Sequence, residues 1–165
     1  MPYIIDGHNL IGKLRGISLR EMDDEMKLVE LLQVFCRVKR KRVEVYFDGA
    51  PPGFARTKRF GQVNAYFIQA RIGDTRLQAD DAIMQRLRAL KSKARNWVVV
   101  TSDRRIQAQA HESHARVQSS EDFANDLLEA QRLAFDLPAD EGGREVSRME
   151  VDYWLEEFNN RKHEN

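Results

Sequence analysis

The feature that most constrains the fold of this chain is a set of short apolar runs that each lead into an aspartate. The runs at residues 3–5, 43–47 and 97–100 lead into Asp6, Asp48 and Asp103. Short β-branched and aromatic runs bounded by turn residues are typical of buried strands. Helical patterns lie between them, and such alternation indicates βαβ units with a parallel sheet. We therefore predict an α/β fold of three layers, α/β/α, with a mainly parallel central sheet.

Further elements follow from the spacing of apolar and turn residues. Helices are predicted over residues 19–36, from 79 to about 94, over 104–111, and from 119 or 120 to between 128 and 135. Strands are predicted at 62–70 and 115–118, a turn at each Asp-Gly pair, and a basic loop over 49–61. A break at 138–143 precedes a predicted terminal helix. We therefore divide the chain into an α/β domain over residues 1–135 and an acidic linker with a C-terminal helix over 136–165.

Composition excludes several classes of protein. The chain has 165 residues, of which 42% are hydrophobic, and 27 basic residues nearly balance 26 acidic ones. This combination argues against intrinsic disorder. Cys36 is the only cysteine, so an intramolecular disulfide is impossible and a reducing compartment is expected. Because no apolar stretch reaches the ~18 residues of a membrane span and no secretory signal is visible, we expect a cytoplasmic protein.

The charges are unevenly distributed along the chain. Residues 136–165 hold 9 acidic and 4 basic residues, whereas eight basic residues lie between positions 37 and 59. Those considered for substrate binding are Lys41, Arg56, Lys58 and Arg59. Local positive potential attracts polyanions, although a solvated helix end and loop would explain the same charges. Phe54 and Phe60, which lie among these residues, would either stack on unpaired bases or anchor the loop.

Carboxylates from distant parts of the chain are expected to meet at one edge of the sheet. Right-handed crossovers place the carboxyl ends of parallel strands at the same edge, where ligands bind in open α/β sheets. Asp80 and Asp81, at the start of a predicted helix, would add to this acidic pocket. Neighbouring carboxylates repel one another, and a hard divalent cation, Mg²⁺ or Mn²⁺, removes the conflict. Such an ion activates water and neutralises phosphoryl charge, which phosphodiester hydrolysis requires.

Each of these acids also has a structural interpretation. An aspartate after a strand is commonly a turn or helix-capping residue. Asp80 would then be an N-cap and Asp81 a first-turn acid, since both positions favour negative charge. Capping and metal binding are compatible, so the two interpretations stay open at this stage.

The segments that carry this argument resemble the motifs of one nuclease family. Residues 5–12, with the sequence IDGHNLIG, resemble the opening D-G-[YH]-N motif of NYN domains in the PIN-like nuclease superfamily. Residues 45–49 (VYFDG) resemble the second strand of these domains, residues 78–83 (QADDAI) the acidic helix start, and residues 99–103 (VVTSD) the third acidic strand end. The order and spacing are most similar to the YacP-like group, over about residues 2–130.

The resemblance implies a PIN-like fold and metal-dependent endoribonuclease chemistry. The function we favour is therefore a Mg²⁺- or Mn²⁺-dependent ribonuclease that cuts single-stranded or loop RNA. It implies that Asp6, Asp80 and Asp103 are the metal-binding acids. Asp48 and Asp81 would be additional ligands or would support those ligands.

Two polar residues of the same motifs receive roles from the resemblance. Asn9 would orient water or substrate, and Ser102 would bond a phosphate or a neighbouring carboxylate. Each also has a local alternative, since Asn9 would equally bond its own backbone in the turn after the first strand and Ser102 would be a turn or cap residue.

The chain also departs from the family pattern. Gln78 stands where YacP-like sequences are expected to have threonine, and the acidic tail has no recognised counterpart.

Two other functions also stay open: a non-catalytic RNA-binding regulatory module, and a phosphatase acting on small phosphorylated substrates. The phosphatase is disfavoured because its usual D-x-D after the first strand is here Asp6-Gly-His8.

Overall fold

A computed structural model describes residues 1–14, 24–49, 55–69 and 71–136. The strands are β1 (Tyr3–Asp6), β2 (Val43–Asp48), β3 (Thr57–Phe60), β4 (Val63–Ile68), β5 (Arg71–Ile72), β6 (Thr75–Arg76), β7 (Val98–Val100) and β8 (Arg116–Gln118). The α-helices are α1 (Gly7–Ile11), α2 (Asp24–Lys39), α3 (Ala79–Leu90), α4 (Arg104–Glu112) and α5 (Ser120–Asp136). The predicted C-terminal helix and Phe54 lie outside the described residues.

Six of the strands form one sheet, in the order β3-β4-β2-β1-β7-β8. All neighbouring pairs are parallel except β3 with β4. The register aligns Ile5 with Val45 and with Val100, so the carboxyl ends of β1, β2 and β7 lie at the same edge. This arrangement confirms the predicted α/β fold with a mainly parallel sheet.

Alternate side chains of the strands feed two hydrophobic cores. Ile5 faces one core together with α1, α2 and α5, and Ile4 faces the other together with α3 and α4. Both side chains are fully buried. Near-continuous apolar strands of this kind are expected where helices cover both faces of a parallel sheet. The helices therefore form the outer layers of an α/β/α arrangement.

A partly buried ion pair joins α3 to the centre of the sheet. Glu44 of β2 is buried and accepts two hydrogen bonds from the guanidinium of Arg86, with Nε 2.9 Å and Nη2 2.8 Å from its carboxylate oxygens. The hydroxyl of Tyr46 also donates to Glu44, and the Tyr46 ring stacks on Tyr66 of β4. These contacts hold the helix whose first turn carries Asp80.

Three local predictions were wrong. The segment after β1 is the short helix α1 rather than a turn, and burial of Leu10 and Ile11 compensates for a length at which isolated helices do not form. Part of the expected basic loop is the edge strand β3, where charged residues are well suited to solvent. Phe60, the last residue of this strand, packs against the hydrophobic core. The helix expected to reach residue 94 ends at Leu90 and continues as a 3₁₀-helix over Lys91–Asn96.

Candidate functional site

The predicted acidic residues lie at the carboxyl edge of the sheet. Asp6 and Asp48 end β1 and β2, and Asp103 follows β7 and precedes α4. The start of α3 is at the same edge, because the backbone N–H of Ala79 donates to Asp48 Oδ1 over 2.6 Å. Five carboxylates from four segments of the chain are therefore gathered at one edge.

The Asp6 carboxyl is the one whose ionisation is most strongly opposed by its surroundings. Burial raises its pKa to about 6, and the nearby carboxylates of Asp48 and Asp103 act in the same direction. The backbone N–H of Asn9 and the hydroxyl of Thr101 stabilise the ionised form and offset part of this effect. A carboxyl in these surroundings is poised to gain from a positive charge.

Thr101 joins two of the acids and was not anticipated from the sequence. Its fully buried hydroxyl donates to Asp6 Oδ2 over 3.3 Å and accepts from the backbone N–H of Asp103 over 3.1 Å. The only signal in the sequence was a hydroxyl residue two positions before an acid, a common turn pattern. Thr101 therefore links the end of β1 to the loop after β7.

Asp103 and Asp81 perform structural roles considered from the sequence, but the N-cap of α3 is Gln78 rather than Asp80, which lies in the first turn with Asp81. Asp103 Oδ1 caps α4 by accepting from the N–H groups of Arg105 at 2.8 Å and Ile106 at 3.2 Å. Asp81 Oδ2 accepts from the N–H of Gln78 at 3.1 Å, completing a capping box at the start of α3. Asp81 is thus turned towards the backbone of its own helix start.

Asp80 faces a cation supplied by the neighbouring helix. Its Oδ1 accepts from the N–H of Asp81 at 2.9 Å, and its Oδ2 lies 3.7 Å from Arg105 Nη1. Because Arg105 is exposed, this contact is a weak surface pair. It nevertheless places a guanidinium beside the carboxylates, where it can contact a bound phosphate.

The donor chemistry of this edge fits a hard divalent cation. All five acids offer carboxylate oxygens, the ligands that Mg²⁺ and Mn²⁺ prefer. Within the described part of the chain, however, no three His, Cys, Asp or Glu side chains already stand close enough to enclose a metal ion. Binding an ion would therefore require these carboxylates to move closer together.

Asn9 and Ser102 bond to each other and to α5. Asn9 Oδ1 accepts from the backbone N–H of Ser102 at 2.9 Å and from the hydroxyl of Ser120 at 2.6 Å. The Ser102 hydroxyl accepts from the N–H of Ser120 at 3.1 Å and donates to Glu121. The amide oxygen of Asn9 thus bonds distant segments rather than the turn that follows its own strand.

His8 and Gly7 bring α1 close to the end of β2. His8 Nδ1 accepts from the N–H of Asp48 at 3.2 Å, and Nε2 lies 3.1 Å from Glu25 Oε1 of α2. A Cβ added at Gly7 would lie 2.4 Å from the Phe47 ring and 2.8 Å from the carbonyl oxygen of Tyr46. Glycine is therefore required for the approach that positions Asp6.

Three of the predicted substrate-binding residues lie at or on the edge strand β3, and the fourth precedes β2. Arg56 precedes β3 and Lys58 and Arg59 lie within it, and all three are exposed. Lys41 precedes β2 and therefore lies at the opposite edge from the acids, since β2 runs from Val43 to Asp48. Because β3 is antiparallel to β4 and β4 is parallel to β2, Arg59 lies towards the same edge as Lys41, whereas Arg56 lies towards the edge of the acids.

Two basic residues at the acidic edge were not anticipated. Arg104 and Arg105 are exposed in the first turn of α4, immediately after Asp103. The sequence signal was the pair of arginines that directly follows the TSD motif.

These features define the class of protein: an α/β fold with a mainly parallel sheet and an acidic edge flanked by arginines. The family model described as the YacP-like NYN domain matches residues 3–160. The chain therefore belongs to the YacP-like NYN domain family, as its motifs indicated. This membership supports a nuclease or RNA-related function.

Solved structures show the same fold. The crystal structure of Rae1 (YacP) from Bacillus subtilis superposes with a TM-score of 0.66 at 20% sequence identity, covering 82% of this chain and 78% of that chain. The structure of a tryptophan-to-leucine mutant of the same Bacillus subtilis protein superposes with a TM-score of 0.60 at 21% identity, covering 81% of this chain and 79% of that chain. No curated protein sequence matches this chain.

Proposed function

We propose that this protein is a metal-dependent endoribonuclease that hydrolyses RNA phosphodiester bonds at the carboxyl edge of its sheet. The observation that carries the proposal is the half-buried Asp6 carboxyl, whose pKa is raised to about 6 and which Thr101 joins to the segment carrying Asp103. A half-buried acid beside other acids is costly in a purely structural role, and a bound cation would offset that cost.

The proposed ligands are Asp6, Asp80 and Asp103, with Asp48 beside them. A bound Mg²⁺ or Mn²⁺ would activate water and neutralise charge on the scissile phosphate. The chain itself would hold these carboxylates in place through Thr101 and the helix caps. Asp81 would support the start of α3, since its carboxylate already accepts from the backbone there.

The proposed RNA path combines two groups of basic residues. Arg105 lies within 3.7 Å of the Asp80 carboxylate and would contact the phosphate at the point of cleavage. Arg56, Lys58 and Arg59 would hold the flanking strand by phosphate contacts, which carry no sequence information. Single-stranded or loop RNA suits such an open edge, because the backbone of unpaired RNA is free to follow the protein surface.

The experiment is an RNA cleavage assay with Mn²⁺, with EDTA, and with the Asp6→Asn variant. We expect end-labelled RNA to be cut internally by the wild-type protein, and cleavage to fall at least about a hundredfold in Asp6→Asn, because a neutral amide is a poor ligand for a hard cation. The control is Asp136→Asn, which removes an exposed carboxylate at the far end of α5 and should cut normally.

Other outcomes would identify the alternative functions. RNA binding without cleavage, unaffected by metal, would indicate a regulatory RNA-binding module. Release of phosphate from small phosphorylated substrates, with intact RNA, would indicate a phosphatase. Cleavage that persists in EDTA would contradict the proposed mechanism.

A further inference from the structure

A chain of hydrogen bonds runs beside the acidic edge and joins three distant segments. It begins at Asn9 in α1, passes through Ser102 in the loop after β7 and reaches Ser120 in α5. The first turn of α5 extends it through Glu121, which accepts from the Ser102 hydroxyl and lies 3.0 Å from Lys13 Nζ. Asn9 and Ser120 are 111 positions apart in sequence.

The central loop of this chain is the one that carries the acids of the site. Ser102 lies between Thr101, which donates to Asp6, and Asp103. The backbone N–H of Ser102 donates to Asn9 in α1. The Ser102 hydroxyl accepts from the backbone N–H of Ser120 and donates to Glu121, both in α5. Movement of α5 would therefore move the Asp103 loop.

Burial distinguishes this chain from an ordinary surface contact. Ser120 is fully buried, and its hydroxyl lies 2.6 Å from Asn9 Oδ1. Buried hydrogen bonds of this length rigidify the groups they join. The Ser102 hydroxyl and the Lys13 ammonium also hold the pKa of Glu121 at about 2, so its carboxylate stays charged at all pH values where the protein would act.

We propose that Ser120 and Glu121 are positioning residues, which hold Ser102 and Asn9 so that Asp103 and Asp6 keep the spacing that catalysis needs. This inference rests on the proposed ribonuclease function and extends the site to the first turn of α5. It also assigns Asn9 and Ser102 to positioning rather than to contact with water or phosphate.

The test compares two neighbouring serines with different partners. Ser120→Ala removes the hydroxyl that donates to Asn9, whereas Ser119→Ala removes the hydroxyl that accepts from the N–H of Asp122 at 3.1 Å and caps α5. Both variants affect the start of the same helix, but only Ser120→Ala alters the hydrogen-bond chain. Ser119→Ala is therefore the matched control for lost helix stability.

We expect kcat for RNA cleavage to fall on the order of tenfold in Ser120→Ala with little change in KM, because small displacements of reacting groups slow the chemical step more than binding. Ser119→Ala should retain the wild-type kcat. Glu121→Ala, at an exposed position, should lower kcat in the same way, whereas Glu121→Gln should recover much of it by accepting from Ser102.

A second measurement does not depend on activity. Amide hydrogen exchange of metal-free protein reports the Ser102 N–H directly, since this group donates to Asn9. Its protection should fall about tenfold in Ser120→Ala and stay unchanged in Ser119→Ala. Unchanged protection and kcat in Ser120→Ala, or an equal loss of kcat in Ser119→Ala, would overturn the inference. A wild-type protein that cuts no RNA yet shows the expected exchange pattern would refute the proposed function but leave the hydrogen-bond chain in place.

Discussion

At the scale of single residues, Asp6 is the acid of this edge whose charge its surroundings oppose. Its pKa of about 6 in the folded protein lies above its ordinary value of 3.8, because burial and two neighbouring carboxylates oppose its charge. The folded state therefore binds a proton more tightly than the unfolded state. As pH rises from about 4 to about 6 the folded state loses this advantage, and above that range it carries the full cost of a buried charge.

We predict that Asp6→Asn stabilises the metal-free protein at pH 7, since the amide keeps the shape and removes the charge. The gain should be on the order of 2 kcal/mol, given about 1.4 kcal/mol per pKa unit and partial exposure to solvent. It should shrink towards zero below pH 4, where both forms are neutral. Chemical denaturation in EDTA at several pH values measures it.

Metal provides the internal control for this prediction. Mn²⁺ should raise the stability of the wild-type protein and leave Asp6→Asn nearly unchanged, because a ligand stabilises only the state that binds it. An Asp6→Asn protein that is less stable than the wild type at pH 7 would show that the carboxylate is stabilised by its surroundings.

At the scale of elements, the position of α3 depends on one ion pair beneath it. Glu44 would be left as a buried, unpaired charge if Arg86 were removed, since its side chain is only 10% exposed. We predict that Arg86→Ala destabilises the protein by about 3 kcal/mol, the usual result of breaking a buried pair from one side. Urea denaturation measures the change.

The matched control lies on the same helix. Arg88 bonds Gln109 at 3.1 Å on an exposed surface, so Arg88→Ala should cost less than about 1 kcal/mol. Adding Glu44→Gln to Arg86→Ala should restore part of the lost stability by removing the buried charge. Equal losses in the two arginine variants would contradict the assigned role of Glu44.

At the scale of the whole molecule, two groups of three basic residues occupy different positions in the sheet. Arg56, Lys58 and Arg59 lie at or on β3, while Arg40, Lys41 and Arg42 lie beyond the start of β2, at the edge opposite the acids. Each group carries three positive charges. Comparing variants of the two groups therefore tests whether RNA binding depends on the position of the basic residues or only on their number. Within the described ranges no helix is long and apolar enough to cross a membrane.

We predict that replacing Arg56, Lys58 and Arg59 with glutamine weakens RNA binding and reduces the slope of log K against log salt by about 2. Each lost phosphate contact on a single strand removes roughly 0.7 of that slope. The corresponding triple variant at Arg40, Lys41 and Arg42 should retain the wild-type slope. Fluorescence titrations at several salt concentrations measure both, and the reverse result would place the RNA path at the opposite edge.

The sequence by itself determined the general architecture of this protein. Apolar runs alternating with helical patterns were sufficient to predict the parallel sheet, because burial on both faces selects for nearly uninterrupted apolar strands. The motifs around Asp6, Asp80 and Asp103 indicated the family. The edge strand β3 was missed because a strand with one open side tolerates the charged residues of a loop.

Only the tertiary structure decided which partners each polar group of the edge has. The Thr101 hydroxyl bonds an acid 95 positions away, and the Ser120 hydroxyl bonds Asn9 across 111. Local sequence carries no signal for such pairs, since they depend on where the helices and strands pack. Hydrogen bonds require atoms within about 3 Å, and that precision is reached only when the whole chain has folded.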